Sequence, residues 1–172
     1  MGGFIKWLEE LNVKDTKVKA TLRRSLAFAP GTFPKAYPYV EPFVKDARSE
    51  WYREIHYIVA ALWALHWREG RGTDVMRISK ACAAYFDLSE SKSIEQRFIL
   101  LLDADMDQLP YRLRQLVALL KDYSIDLDDI LEGLKYWNDE KKITQNRWAH
   151  DFYRNVNQQI YNEANFSEET AE

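Results

Sequence analysis

Residues 48–69, RSEWYREIHYIVAALWALHWRE, decide the fold. Trp51, Ile55, Ile58, Leu62 and Leu65 recur at spacings of four, three, four and three, and Val59 and Trp63 widen the stripe. Residues three and four apart share a helix face, so the spacing predicts a central amphipathic helix over Arg48–Glu69. Gly70-Arg71-Gly72 stops it, and Thr73 or Asp74 is placed to cap a next helix whose stripe is Val75, Ile78, Cys82 and Phe86. Upstream, Phe4, Trp7, Leu8 and Leu11, then Val18, Leu22 and Leu26 after a break near Asp15-Thr16, predict two short helices or one bent one. In between stand Pro30, Pro34, Pro38 and Pro42, with Phe33, Tyr37, Tyr39 and Phe43 among them. Proline lacks an N–H and disfavours helix in the residue before it, so this stretch reads as an ordered, aromatic-anchored connector packed across the domain, with a Pro-rich peptide ligand as the other reading.

Downstream, the polar stretch Asp87–Ser93 breaks the chain and marks the expected boundary between two helical subdomains, 1–90 and 91–165, followed by an acidic, frayed tail at 166–172. Phe98, Leu101 and Leu102 predict a helix closing at Asp103–Asp107, and Pro110 opens the next, where its missing donor costs nothing. Leu113, Leu116, Val117 and Leu120 are that helix's core face. Leu127, Ile130, Leu131, Leu134 and Trp137 mark another, and Trp148, Phe152, Val156 and Ile160 mark the last. No segment alternates with period two, so the expected class is all-α: a bundle of roughly eight helices in two small subdomains.

The 172 residues are 47% hydrophobic and carry 24 Lys+Arg against 27 Asp+Glu, which suits one globular domain or two small ones and excludes a disordered or collagen-like chain. The longest nearly unbroken apolar run, Tyr57–Leu65, is far below the roughly 18–20 residues of a membrane span. The opening Met1-Gly2-Gly3-Phe4-Ile5-Lys6 lacks the form of a signal peptide or a myristoylation site, so a cytoplasmic protein without membrane contact is expected. Cys82 stands alone and reads as a buried small hydrophobe. The net charge of −3 hides an asymmetry: residues 1–86 hold 14 basic and 9 acidic groups (+5), residues 87–172 hold 10 and 18 (−8). Local basic patches are therefore compatible with an acidic whole.

Catalytic patterns are thin. His150-Asp151 is the dipeptide of the HD phosphohydrolases, but a water-activating metal needs several converging N/O donors. The other histidines, His56 and His66, lie ten residues apart on one helix, about 80° out of phase. A surface His–Asp pair is the simpler reading, and an HD-type phosphohydrolase remains as an alternative. No Glu has a His three residues later, as a di-iron bundle requires, and phosphate-loop, dinucleotide and nucleophile-elbow motifs are absent. Asp103, Asp105 and Asp107 alternate as in a calcium loop, but Pro110 and Tyr111 follow where such a loop needs Gly and Glu, so they read as helix-end acids. The expectation is no catalytic residue, no metal and no cofactor.

The basic residues are more informative. Lys14, Lys17, Lys19, Arg23 and Arg24 fall within eleven positions. With Leu22 inward, Lys19 and Arg23 share one flank, whereas Lys17 and Arg24 point nearly away from the core. In the second half, Arg112 and Arg114 edge the Leu113/Leu116/Leu120 stripe, Lys121 lies almost in line with Arg114 two turns on, and Arg97 starts the preceding apolar run. Arginine forks on packed helices suit bidentate phosphate contact; salt bridges within this acidic half are the competing reading. Among the plentiful Trp and Tyr, a few are available as stacking platforms for unpaired bases.

In order along the chain, Leu22-Arg23-Arg24, the Pro-rich connector, the Trp/Ala-rich central helix, Gln96-Arg97-Phe98-Ile99-Leu100-Leu101 with Ala104-Asp105, Leu113-Arg114-Gln115-Leu116, Ile125-Asp126-Leu127, Trp137 and Trp148-Ala149-His150-Asp151-Phe152-Tyr153 resemble the CasB family, the small subunit of the type I-E CRISPR surveillance complex Cascade. The resemblance implies an all-helical, non-catalytic protein. It implies two copies per complex, beside other Cascade subunits, the crRNA and both the target and non-target DNA strands, with the small subunit stabilising the R-loop in antiviral defence. By motif, it carries nucleic-acid contact to Arg24, Arg97 and Arg114, and by position on the central helix to Arg53; Arg23, Lys19, Arg112 and Lys121 join them on the geometry above. A helical protein–protein adaptor whose arginines only form salt bridges is the alternative reading.

Overall fold

In the computed structural model, which describes residues 3–68 and 74–171, helices form the whole framework. They are α1 (Phe4–Lys14), α2 (Lys17–Arg24), α3 (Tyr37–Val44), α4 (Glu50–His66), α5 (Ile78–Ser89), α6 (Ser93–Leu102), α7 (Leu109–Leu119), α8 (Leu127–Lys135), α9 (Ile143–Asn155) and α10 (Gln158–Glu169). Short 3₁₀ turns cover Ser25–Ala27 and Pro34–Ala36. Among the described residues the only β-type pairing is a single bridge, Met76 to Ile125. The expected all-α class holds, with ten helices among the described residues in place of roughly eight.

The chain groups into two units, one of residues 1–72 with 126–136, the other of residues 73–125 with 137–172. These borders differ from the single boundary at 90/91 read from the polar stretch: α5 joins the second unit because it packs on α9 and α6, and α8 returns to the first because it packs on α4 and α1.

In the first unit α4 is the axis. Every residue from Ile55 to Ala64 is buried, which is what a helix apolar nearly all round requires. Ser49 starts it by accepting from the Tyr52 N–H at 3.0 Å. Phe4 and Leu8, Val18 and Leu22, and Ile130 and Leu134 complete the core from α1, α2 and α8. Three indole N–H groups of this unit have acceptors: Trp7 donates to the Tyr39 carbonyl (2.8 Å), Trp51 to the Leu134 carbonyl (2.9 Å) and Trp63 to Glu9 (2.8 Å). The Pro-rich stretch departs from its reading as a plain connector, because residues 37–44 are helical. Pro38 occupies the first turn of α3, where an N–H has no partner anyway, and Pro42 forfeits one helix bond on the exposed side.

In the second unit Phe86, Phe98, Trp148 and Phe152 form an aromatic core on α5, α6 and α9. Trp137, expected on the helix of Leu134, lies beyond the end of α8 and belongs to this core instead; its indole donates to the Ala104 carbonyl (3.0 Å) and packs 5.5 Å from Trp148. The last expected helix is two. Val156 turns extended and Asn157 caps a new helix, accepting from the Gln159 and Ile160 N–H groups. The supposedly frayed tail is helical through Glu169. Asp74 caps nothing, since α5 starts after Arg77, Val75 is exposed, and Thr73 and Gly70-Arg71-Gly72 lie outside the described residues.

Candidate nucleic-acid interface

In the first unit, α2 buries Val18 and Leu22 and turns Arg23 and Arg24 outward at its C-terminal end, where the helix dipole favours cations. Neither arginine makes an ion pair with a described residue. Lys19, on the flank of Arg23, sets its ammonium 3.3 Å from the centroid of the Trp67 ring. A cation over an indole face keeps its charge while losing freedom, so Lys19 is a positioned cation and not a waving one. Trp67 had no sequence signal, because only the packing of α2 on α4 brings it under Lys19.

Arg53 is placed differently. Its Nε donates to Glu41 at 2.7 Å and its Nη2 pairs with the same carboxylate at 2.5 Å; Nη1 reaches Glu50 at 3.3 Å, and both Nη groups reach the Gly31 carbonyl at 3.3–3.4 Å. Its guanidinium also lies over the Tyr57 and Tyr37 rings, and the Tyr57 hydroxyl donates to Glu41 at 2.6 Å. Burial pushes the Glu41 carboxyl up, but the Tyr57 hydroxyl and the Arg53 guanidinium outweigh it and hold the group below the usual carboxylate range. Burial opposes the charge on Arg53, yet Glu41 raises its affinity for the proton further. The donors of Arg53 are thus spent inside the unit, holding α3, α4 and the turn at Gly31 together.

In the second unit, α6 buries Ile94, Phe98 and Leu101 and exposes Arg97, which makes no ion pair with a described residue. α7, packed on α6, buries Leu113 and Leu116 between a half-exposed Arg112 and an exposed Arg114. Arg114 is engaged within the protein, and the Arg112 guanidinium lies 5.6 Å from the neighbouring Tyr111 ring. Lys121 is exposed just past the end of α7. Tyr111, 58% exposed with its hydroxyl accepting from Gln115, adds an aromatic face that periodicity did not single out. The structure therefore gathers Lys19, Arg23 and Arg24 on α2, places Arg97 on α6 and Arg112 and Arg114 on α7 with Lys121 just beyond it, and sets Arg53 apart.

His150-Asp151 has a packing role. Asp151 accepts from Arg77 Nη1 at 2.9 Å and from Ser79 at 3.4 Å, fastening α9 to the start of α5, while His150 is exposed. Among the described residues no three His, Cys, Asp or Glu side chains converge as a metal-ligand set, and no helix is long and apolar enough to cross a membrane.

The family model described as "CRISPR-associated protein Cse2" matches residues 18–153, most of the chain. A CRISPR-associated protein Cse2 of Thermus thermophilus is 42% identical over 155 residues, covering 87% of this chain and 88% of that protein. The crystal structure of CasB from Thermus thermophilus superposes with a TM-score of 0.75 at 40% identity, covering 87% of this chain and 95% of that one. A chain of a CRISPR RNA-guided surveillance complex superposes with a TM-score of 0.74 at 25% identity, over 94% and 95% of the two chains. With a family model matched over residues 18–153 and a relative 42% identical along most of its length, the chain belongs to the Cse2, or CasB, family of CRISPR-associated proteins.

Proposed function

We propose that the protein is a non-catalytic, cytoplasmic subunit of a type I-E Cascade, where it grips nucleic-acid backbone and stabilises the R-loop. The observation that carries this reading is the contrast among its arginines: Arg53 and Arg77 are paired inside the fold, whereas Arg23, Arg24 and Arg97 stand exposed on packed helices without an ion pair to a described residue. Rigidly mounted, unpaired guanidinium groups suit phosphate oxygens. Guide pairing supplies sequence discrimination in such complexes, and R-loop formation is near balance, so a few backbone contacts tip it without base readout. The partners on this reading are the other Cascade subunits, the crRNA with its target strand, the displaced non-target strand and a second copy of this chain. Lys19, Arg112, Arg114 and Lys121 extend the two basic faces, and Arg53 supports the first of them from within.

The test is the assembled complex carrying Arg23→Ala, Arg24→Ala and Arg97→Ala. Target-DNA retention is expected to fall at moderate salt, and the slope of log K against log salt to flatten by about 0.7–0.9 for each phosphate no longer neutralised, with target discrimination unchanged. Retention and slope equal to those of the unaltered complex would leave only the adaptor role. Native mass spectrometry with and without RNase checks the two copies and the RNA.

A further inference from the structure

α10 is fastened to the second unit more lightly than any other helix there. α5, α6, α7 and α9 each bury several side chains, whereas α10 buries none, and its largest apolar side chain, Phe166, is 68% exposed. Its attachments centre on Tyr161, whose ring lies 6.1 Å from that of Tyr153 and 6.0 Å from the Lys92 ammonium. The Tyr161 hydroxyl donates to Glu95 at 3.1 Å and its ring lies 5.7 Å from Phe86, the Asn157 N–H donates to Asp87 at 2.8 Å, and Glu168 pairs with Lys92 at 3.5 Å. Even the buried anchor is incomplete, because the second oxygen of Glu95 has no partner.

The segment is also one-signed. Residues 155–172 contain Glu163, Glu168, Glu169 and Glu172 and neither Lys nor Arg. Its contact through Glu168 falls on Lys92, the residue that precedes α6; the exposed Arg97 lies five residues on, about 7.5 Å along the helix axis and about 140° around it. The Lys92 side chain is 20% exposed and that of Glu168 is 54% exposed, so the cation is covered by a carboxylate that is itself mostly in solvent. An ion pair of this exposure is weak and salt-sensitive. A strand of phosphates that winds from Arg97 round the start of α6 would offer Lys92 a replacement partner.

We propose that Lys92 is a further phosphate-binding residue and that α10 is a displaceable acidic cover over it, so that Glu168 and nucleic acid compete for one ammonium group. The proposal rests on the nucleic-acid reading above. It is tested with the full chain and a single-stranded oligodeoxynucleotide across a salt series. Glu168→Gln is expected to tighten binding about two- to five-fold at low salt, the scale of one exposed ion pair. The same variant steepens the log–log salt slope by about 0.7, the increment of one more phosphate on a single strand. Lys92→Ala cancels that gain in the double variant and changes little alone. Glu169→Gln, which alters net charge equally one residue away, gives a smaller effect. Equal responses to Glu168→Gln and Glu169→Gln, or an unchanged slope, with the unaltered chain still binding, would overturn the cover and leave the basic faces standing. Absence of binding by every variant, with the Arg23, Arg24 and Arg97 substitutions silent in the assembled complex, would overturn both.

Discussion

Gly31 shows how narrowly one residue can be specified. Its φ of +75° lies in the left-handed region, and a Cβ there would sit 2.6 Å from Arg53 Nη1. Its carbonyl accepts from Arg53 and from the Tyr37 hydroxyl at 2.8 Å, so the turn cannot shift without disturbing the Arg53–Glu41–Tyr57 network. Gly31→Ala is expected to cost about 1–3 kcal/mol, from the left-handed conformation of an L-residue and the displaced guanidinium together. Urea unfolding with an unchanged m-value measures it, and a loss under about 0.5 kcal/mol would contradict the account. The same network explains why Arg53 was readable as a surface cation: nothing in the spacing of residues 48–69 reveals that Glu41, twelve positions upstream, folds back onto it.

At the scale of elements, α1, α3 and α4 meet around His56. The ring is buried, donates from Nδ1 to the Tyr52 carbonyl at 2.7 Å, and is packed by Phe4 (4.9 Å), Tyr52 (4.6 Å) and Phe43 (5.7 Å). Burial, aided by Lys135, lowers its pKa below the ordinary 6.5, outweighing the Tyr52 carbonyl and Glu132. The folded state thus binds the proton more weakly than the unfolded chain. The stability this contributes is complete above pH 6.5 and is lost as pH falls through the lowered folded value, with a slope of at most about 1.4 kcal/mol per pH unit. Denaturant midpoints from pH 8 to pH 5 should therefore fall more steeply for the parent than for His56→Gln; parallel curves would count against the coupling. Elements were legible wherever apolar spacing alone decides them, as in α4. They were misread where a single polar or imino residue decides: Pro38 begins α3 instead of preventing it, and Asn157 restarts the chain as α10 after Val156. The outward turn of Arg24 on α2 follows, like α4, from its position against an apolar stripe, whereas Arg97 on α6 is singled out by its motif and not by its direction. Lys19 over Trp67 and Glu168 over Lys92 were not legible, since pairing between helices depends on packing that no local spacing encodes.

At the scale of the whole molecule, the first unit is assembled from two separated pieces of chain, 1–72 and 126–136. α8 brings Leu127, Ile130, Leu131 and Leu134 against the rest of that core, and its Asp126 cap accepts from the Asp129 N–H at 3.0 Å. Burying four such side chains is worth roughly 6–12 kcal/mol at about 1.5–3 kcal/mol each, comparable with the whole stability of a small domain. A fragment of residues 1–72 should show helical circular dichroism without a cooperative unfolding transition, and the same fragment joined to residues 126–136 by a flexible linker should regain one. A cooperative transition in 1–72 alone would show that α8 is dispensable. During synthesis the arrangement imposes an order in time. The first four helices leave the ribosome with their groove empty, and 64 further residues (136 − 72) must be made before α8 emerges. At about 5–20 residues per second, that is roughly 3–13 s in which the nascent amino-terminal half waits, its apolar seam open, for a segment encoded in the other half of the message.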